Sequence, residues 1–261
     1  MSTVTLNIKG KVAYLSLNRA HKYNALTQDM WHAIAQACDS LMQDRTVRVL
    51  VLKAEGQKAF CAGADIQELH EMLANPDAFS ASNQIVQEAQ QKLAALPFAT
   101  IAQINGVCVG GGMGLAMCCD FRIAVNDATF AITPSKLGLL YSLADTKRLV
   151  DLVGLPRAKE LLYLGKKINA DTAHHWGLIT QVVERASLSE ATEALVQQIL
   201  SVSGYSVSGT KRSLQYLGEM PSNDALDNEA RLLRLFDDAF HGDDFKEGAA
   251  AFTQKRPARF S

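Results

Sequence analysis

The residues best suited to chemistry lie in one glycine-rich stretch, Ile104-Asn-Gly-Val-Cys-Val-Gly-Gly-Gly-Met-Gly-Leu-Ala-Met-Cys-Cys-Asp120. An apolar run at 100–104 reads as a buried strand, Asn105-Gly106 bounds it, and 113–119 reads as the opening of an apolar helix. Between them stand Gly110, Gly111 and Gly112. Glycine weakens a helix, so three of them at its start imply a need for bare backbone. The first turn of a helix carries N–H groups without intrahelical partners, and the helix dipole adds partial positive charge there. A strand that delivers such a turn to a site offers a place for a negatively charged oxygen. Close packing at the junction is the competing reading of the same glycines. A dinucleotide site fails on spacing, because Leu115 and Met117 stand where G-x-G-x-x-G needs glycine. A phosphate loop fails because no Gly-Lys-Ser/Thr follows.

The elements that must position this turn read as alternating strands and helices. Residues 4–8 and 12–17 alternate with period two around Lys9-Gly10-Lys11, a hairpin pattern. A polar loop at 18–26 carries Lys22 and Tyr23. Thr27 then offers an N-cap, and Met30, Ile34, Cys38 and Leu41 mark one face of a helix ending near Arg45. Residues 47–53 read as a largely buried strand. A loop of small residues, 56–65, ends at Asp65, which is placed to cap the helix predicted at 66–73. Asn75-Pro76 breaks that pattern, and an amphipathic helix at about 79–96 stops at Pro97. Strands at 121–125 and 129–132 follow the glycine turn. After the loop from Thr133 to Ser142, helical patterns dominate: 145–153, 156–164, 170–176 with Asn169 as cap, 188–200, 205–217 and 224–240. One strand, 178–183, intervenes, and 243–261 reads as a tail. The organisation expected is an α/β core over 1–185 and a helical region over 186–261 that packs on the core or on another subunit.

Composition narrows the function classes. With 26 basic against 27 acidic residues the formal net charge is −1, so no field draws the chain to nucleic acid or to a membrane. No apolar run reaches the length of a membrane span. Met-Ser-Thr-Val leads directly into a strand pattern, with no room for a signal peptide, and the location expected is cytoplasmic, a bacterial cytosol or an organelle matrix fitting equally well. Cys38, Cys61, Cys108, Cys118 and Cys119 are odd in number and lie in apolar surroundings. With six histidines in no ligand pattern, they predict a reduced protein without metal.

Three motifs in order, Asn18-Arg19…Asn24-Ala25-Leu26, Phe60-Cys-Ala-Gly-Ala-Asp65 and Asn105-Gly106…Gly110-Gly-Gly112, resemble the crotonase superfamily, the enoyl-CoA hydratase/isomerase family. The likeness runs over essentially the whole chain, and Ala251-Phe-Thr-Gln-Lys-Arg256 is similar to the family's closing motif. The resemblance implies an α/β fold, a crotonase-like spiral of ββα units with a C-terminal helical region, assembled as a homotrimer or hexamer. It implies an acyl-CoA thioester as substrate, a role in fatty acid metabolism, and no separate cofactor. Two backbone N–H groups, by motif position those of Ala64 and Gly111, would grip the thioester oxygen as it becomes an enolate. Coenzyme A would lie against Lys22, Ala62 and Lys255.

The acid/base is where the chain departs from that family. Hydratases of the family use two glutamates, and the matching positions here are Gly114 and Pro134. The polar candidates that remain are Tyr141, Ser142, Asp145 and Lys147. Thr133-Pro134-x-x-Leu137-Gly138-x-x-Tyr141 resembles a loop of methylmalonyl-CoA decarboxylase, a family member that forms an enolate by losing carbon dioxide and carries histidine at the position of Ala64. Tyr141 reads either as a catalytic phenol or as a packed aromatic with a backbone partner. Asp145 reads either as acid/base or as a first-turn carboxylate of a helix. Burial beside Leu139, Leu140 and Leu143 would raise its pKa toward neutrality. The far wall of the site is expected from 67–95 and from the C-terminal helices. A decarboxylase or other C–C lyase, and an acyl-CoA binder without activity, are the alternative functions; RNA binding would need a basic face that the charge balance does not supply.

Overall fold

The computed structural model describes residues 2–73, 76–218, 234, 242–254, 256, 258 and 259. The predicted helix at 224–240 and Lys255 lie outside the described residues, apart from helical Arg234. The chain divides into two units, 1–96 with 100–193 and 97–99 with 194–261.

The first unit opens with the expected hairpin, β1 (Val4–Lys9) and β2 (Val12–Leu17), paired antiparallel from Val4↔Leu17 to Lys9↔Val12. Helix α1 (Gln28–Gln43) starts at Thr27, whose Oγ1 accepts from the Met30 N–H at 3.3 Å. From β3 to β8 the chain alternates between two sheets. β3 (Val49–Ala54), β5 (Ala99–Ile104), β7 (Phe121–Val125) and β10 (Gln181–Val183) extend the hairpin into a six-stranded sheet ordered β1-β2-β3-β5-β7-β10. β4 (Ala59–Cys61), β6 (Val107–Val109), β8 (Thr129–Ala131) and β9 (Ile168–Asn169) form a second sheet in that order. Each turn of chain thus gives one strand to each sheet and then a helical segment. This is a spiral of ββα units, as expected. Helices α2 (Ile66–Leu73) and α3 (Pro76–Ala94) complete the first turn, and α4 (Gly111–Cys118) the second.

Burial explains the sequence patterns. β3 reads Val-Leu-Val-Leu because those four residues are fully enclosed, and α4 is apolar on every side because Gly112 through Cys118 are all buried. At its C-terminus, buried Arg122 donates to the carbonyls of Cys119 and Leu178 at 2.5 and 2.7 Å. Another arginine binds the spiral from outside. Arg185 Nη1 donates to Gln57 O at 2.7 Å and Asn105 O at 2.8 Å, while Nη2 meets both Asp127 carboxylate oxygens at 2.7 Å. Those three partners stand in the successive β3–β4, β5–β6 and β7–β8 turns.

Beyond β8, helix α5 (Leu143–Leu164) is broken at Gly154, where φ is 72°, so it corresponds to the two predicted segments. Asn169 caps α6 (Ala170–His175) through Thr172 N at 2.9 Å. Helix α7 (Leu188–Leu200) follows. In the second unit, helix α8 (Gly204–Gly218) buries Lys211, whose Nζ donates to Phe98 O at 3.0 Å. The predicted tail is instead helical over Asp243–Thr253, and the Arg256 guanidinium lies 2.6 Å from Glu247. That pairing holds the Glu247 carboxyl down to about 2.

Candidate active site

The parallel strands β4, β6 and β8 lie side by side and run into three loops, 62–65, 110–112 and 132–142. Ligands of α/β sheets bind outside the carboxyl ends of strands, where such loops meet. Leu26 forms a parallel bridge with Ala64: Leu26 N donates to Gly63 O at 2.8 Å, and Asp65 N donates to Leu26 O at 2.9 Å. In that pattern the N–H of Ala64 itself points away from Leu26. Gly110 N donates to Ala131 O at 3.0 Å, and the Gly114 N bond to Gly110 O, at 3.1 Å, is the opening i→i−4 bond of α4. The Gly111 N–H therefore has no intrahelical acceptor. Neither it nor the Ala64 N–H has a partner among the described residues. The two turns adjoin: a Cβ built on Gly111 would lie 4.0 Å from Ala64 N, and one built on Gly63 would lie 3.8 Å from Gly111 N.

The glycines of this run differ in what they do locally. Gly110, at φ 54°, makes the turn that frees the following N–H groups. Gly112 serves close approach, since a Cβ there would stand 2.7 Å from Cys61 Cβ and O. Against Gly111 lie Trp31 and Leu26, 3.3 and 3.4 Å from the position a Cβ would take. Trp31 comes from α1 and was not singled out in the sequence, where it reads as one more apolar helix position.

The Ala64 turn is held by polar side chains. Asp65 caps α2 with its Oδ1, which accepts from Gln67 N at 2.9 Å and Glu68 N at 3.2 Å. Its Oδ2 pairs with Arg19 Nη1 at 2.6 Å, and the same nitrogen reaches Ala25 O at 3.1 Å. The hydrogen bond from Arg19 holds the Asp65 carboxyl below the usual carboxylate range. Asn24, buried, donates to Glu55 O and Ala59 O, both at 3.0 Å, and accepts from Arg19 N at 2.9 Å. Motif side chains on two loops, 18–26 and 62–65, thus form one network.

On the other flank, no acid stands at Gly114 or Pro134; Pro134 opens a 3-10 turn, Pro134–Leu137. A Cβ built on Gly114 would meet Gln90 Nε2 at 2.3 Å and both Asp145 carboxylate oxygens at 3.4 Å. Asp145 is 4% exposed. Its Oδ1 pairs with Arg148 Nη1 at 3.0 Å, and its Oδ2 accepts from Ser142 Oγ at 2.9 Å. Ser142 in turn caps α5, accepting from Asp145 N at 3.0 Å. The apolar cage expected around Asp145 is a correction: Leu140 and Leu143 are 96% and 82% exposed. The Ser142 cap starts α5 at Leu143, which leaves that leucine and Leu140 in solvent while Asp145 is buried beside Arg148. Asp145 therefore does start a helix, and it also faces Gly114.

Tyr141 donates its hydroxyl to Gly110 O at 3.3 Å. Burial, and then the neighbouring Asp145 charge, push its phenol well above the ordinary value, so it stays protonated. Lys147 pairs with Asp151 at 2.6 Å on the exposed face of α5 and takes no part. Lys22 ends a 3-10 turn, Ala20–Lys22, and is exposed. Ala62, also exposed, donates its N–H to Tyr23 O at 3.0 Å, so the structure brings the Lys22 loop and Ala62 together. The five cysteines are buried and free of disulfides; burial pushes the Cys61 thiol up to about 12, which leaves it no nucleophile at neutral pH. No group of three or more His, Cys, Asp or Glu among the described residues could hold a metal ion. No helix there is long and apolar enough to cross a membrane.

Gln90, like Trp31, is a residue that sequence reasoning missed. Helix α3 carries Gln84, Gln87, Gln90 and Gln91, and of these Gln90 alone is buried, beside Ala89 and Leu93. Its position on the apolar face was a signal, masked by a glutamine-rich helix. Its Oε1 has no hydrogen-bond partner among the described residues, which costs about 1–3 kcal/mol for a buried acceptor.

Comparison with known proteins agrees with this architecture. The family model described as Enoyl-CoA hydratase/isomerase matches residues 7–261. The chain is 35% identical over 258 residues to a crotonyl-CoA hydratase of Syntrophomonas wolfei subsp. wolfei, covering 98% of this chain and 97% of that protein. It is 30% identical over 263 residues to a 1,2-epoxyphenylacetyl-CoA isomerase of Escherichia coli, covering 100% and 99%. The crystal structure of an enoyl-CoA hydratase/isomerase family protein from Hyphomonas neptunium superposes with a TM-score of 0.92 at 36% identity, covering 100% of this chain and 98% of that one. With its spiral of ββα units and its motif loops gathered at one sheet edge, this chain belongs to the enoyl-CoA hydratase/isomerase family.

Proposed function

We propose that the chain is a hydratase or isomerase of acyl-CoA thioesters that works through an enolate, with its proton chemistry carried by Asp145. The observation that carries this reading is the pair of N–H groups, Ala64 and Gly111, on adjoining turns and without partners among the described residues. A thioester oxygen between them would receive two hydrogen bonds as it gains charge. One such donor is worth on the order of 2.7–4 kcal/mol in the transition state. Asp145 would move the proton at the carbon beside the thioester, held in place by Arg148 and Ser142. Tyr141, a neutral phenol on Gly110 O, would steady the glycine turn and present a proton-bearing oxygen nearby. Lys22 and the Ala62 backbone would hold coenzyme A. A homotrimer or hexamer is the assembly we propose, supported by exposed Leu137, Leu164 and Tyr163. The site would need no cofactor beyond its substrate, and a cytoplasmic location fits such an enzyme.

The relative named crotonyl-CoA hydratase suggests the substrate for a test. Crotonyl-CoA at saturation should lose its conjugated thioester absorbance at well above about one turnover per second. Absence of turnover with coenzyme A binding intact would sink hydration. A specific observation favours a second reading in that case: both Asp145 oxygens are already engaged and Pro134 replaces an acid. Decarboxylation of a malonyl-type thioester needs the two N–H groups and no strong base, and release of carbon dioxide would reveal it. Binding with neither reaction would leave a binder without activity.

A further inference from the structure

Gly114 is the point at which two polar side chains from different helices converge. Gln90 reaches it from α3, with Nε2 inside the volume a Cβ would need, and Asp145 reaches it from α5 with both carboxylate oxygens equidistant at 3.4 Å from that position. The two are 1% and 4% exposed, yet no hydrogen bond joins them, and Gln90 Oε1 has no partner among the described residues. An amide offers donors and an acceptor, whereas an ionised carboxylate offers acceptors only. A further anion beside Asp145 would meet repulsion, and an apolar group would leave the Gln90 oxygen unsatisfied. An O–H group fits, because its oxygen can accept from an amide N–H while its hydrogen goes to a carboxylate. It fits equally with the amide turned over, since the Gln90 oxygen would then need the donor.

We propose that Gln90 and Asp145 together hold one O–H group beside Gly114, either a water molecule or a hydroxyl on the acyl chain. This rests on the acyl-CoA reading above and deepens it: the substrate or product class becomes a thioester carrying a hydroxyl near the reacting carbons, or one that reacts with water there. Gln90 becomes a specificity-determining residue, taking the space in which Gly114 has no side chain.

The test compares 3-hydroxybutyryl-CoA with butyryl-CoA by calorimetry, in the unaltered protein and in Gln90→Met, alongside crotonyl-CoA kinetics. If an acyl hydroxyl is the occupant, the unaltered protein should bind the hydroxy thioester about tenfold more tightly, and the preference should fall to about twofold or less in Gln90→Met. If water is the occupant, neither protein should show a preference, but Gln90→Met should lower kcat for hydration about tenfold with KM little changed. An unchanged preference together with an unchanged kcat would overturn the proposal while leaving the acyl-CoA reading standing. Failure of butyryl-CoA to bind the unaltered protein would sink the acyl-CoA reading, and this proposal with it. Should Gln90→Met not fold, Gln90→Asn, which keeps an amide but withdraws it by one methylene, serves for the same comparisons.

Discussion

The turns after β4 and β6 present main-chain N–H groups, and everything around them fixes backbone: glycine φ angles, the Leu26 bridge, the Arg19–Asp65 pair. The loop after β8 and the start of α5 present side chains instead, and these sit at positions where the glutamates of family hydratases do not. The contrast teaches that a backbone site constrains its sequence at every neighbouring residue, while a carboxylate can be supplied from any element that reaches the same point. Here the carboxylate that reaches Gly114 is Asp145, the third helical residue of α5.

Exchanging single residues on either side can break the comparison or sharpen it. The largest effect is expected on the side-chain flank: Asp145→Asn should lower kcat by about 10²–10⁴ with a smaller change in KM, measured by steady-state kinetics on the substrate that proves active. A loss below about threefold would remove Asp145 from the chemistry. On the backbone flank, Arg19→Met removes one partner of a largely buried pair, and about 2 kcal/mol of stability should go with it, less than a fully buried pair would lose because Arg19 keeps some solvent. Urea unfolding measures it. Tyr141→Phe removes the hydroxyl on Gly110 O, and a tenfold fall in kcat, about 1.4 kcal/mol, is expected with folding intact; unchanged kinetics would make Tyr141 a packing residue. The smallest effect is in pH dependence. The Asp65 carboxyl is depressed in the folded state, so its contribution is present above the unfolded value near 3.9 and is lost as pH falls through the folded value. The stability advantage of the unaltered protein over Asp65→Asn should therefore hold at neutral pH and shrink in acid below about pH 4.

How far each flank could be read from the chain follows from the same contrast. The period-two hairpin, the Thr27 and Asn169 caps and the buried Val49–Leu52 run were legible because local pattern and tertiary burial agree there. Ala64 and Gly111 were named by motif position, through the resemblance to the family, and the glycines of their loops agreed with that reading. The short strands β4 and β6 were not read, since three residues show no period, and the helix at 243–253 was hidden in a stretch taken as a tail. Gln90 and Trp31 were missed for a different reason: their role depends on which turn of the spiral faces them, which no local window contains. The surroundings of Asp145 were misjudged because adjacency to leucines in sequence says little about contact at a helix start.

The Arg185 contacts carry a consequence for the order of events at the ribosome. One guanidinium near the end of the first unit ties turns at 57, 105 and 127, so the chain that makes those turns leaves the exit tunnel before the residue that fastens them. Nascent chains halted before residue 185 should show these turns open to protease, and chains halted well beyond it should show them closed.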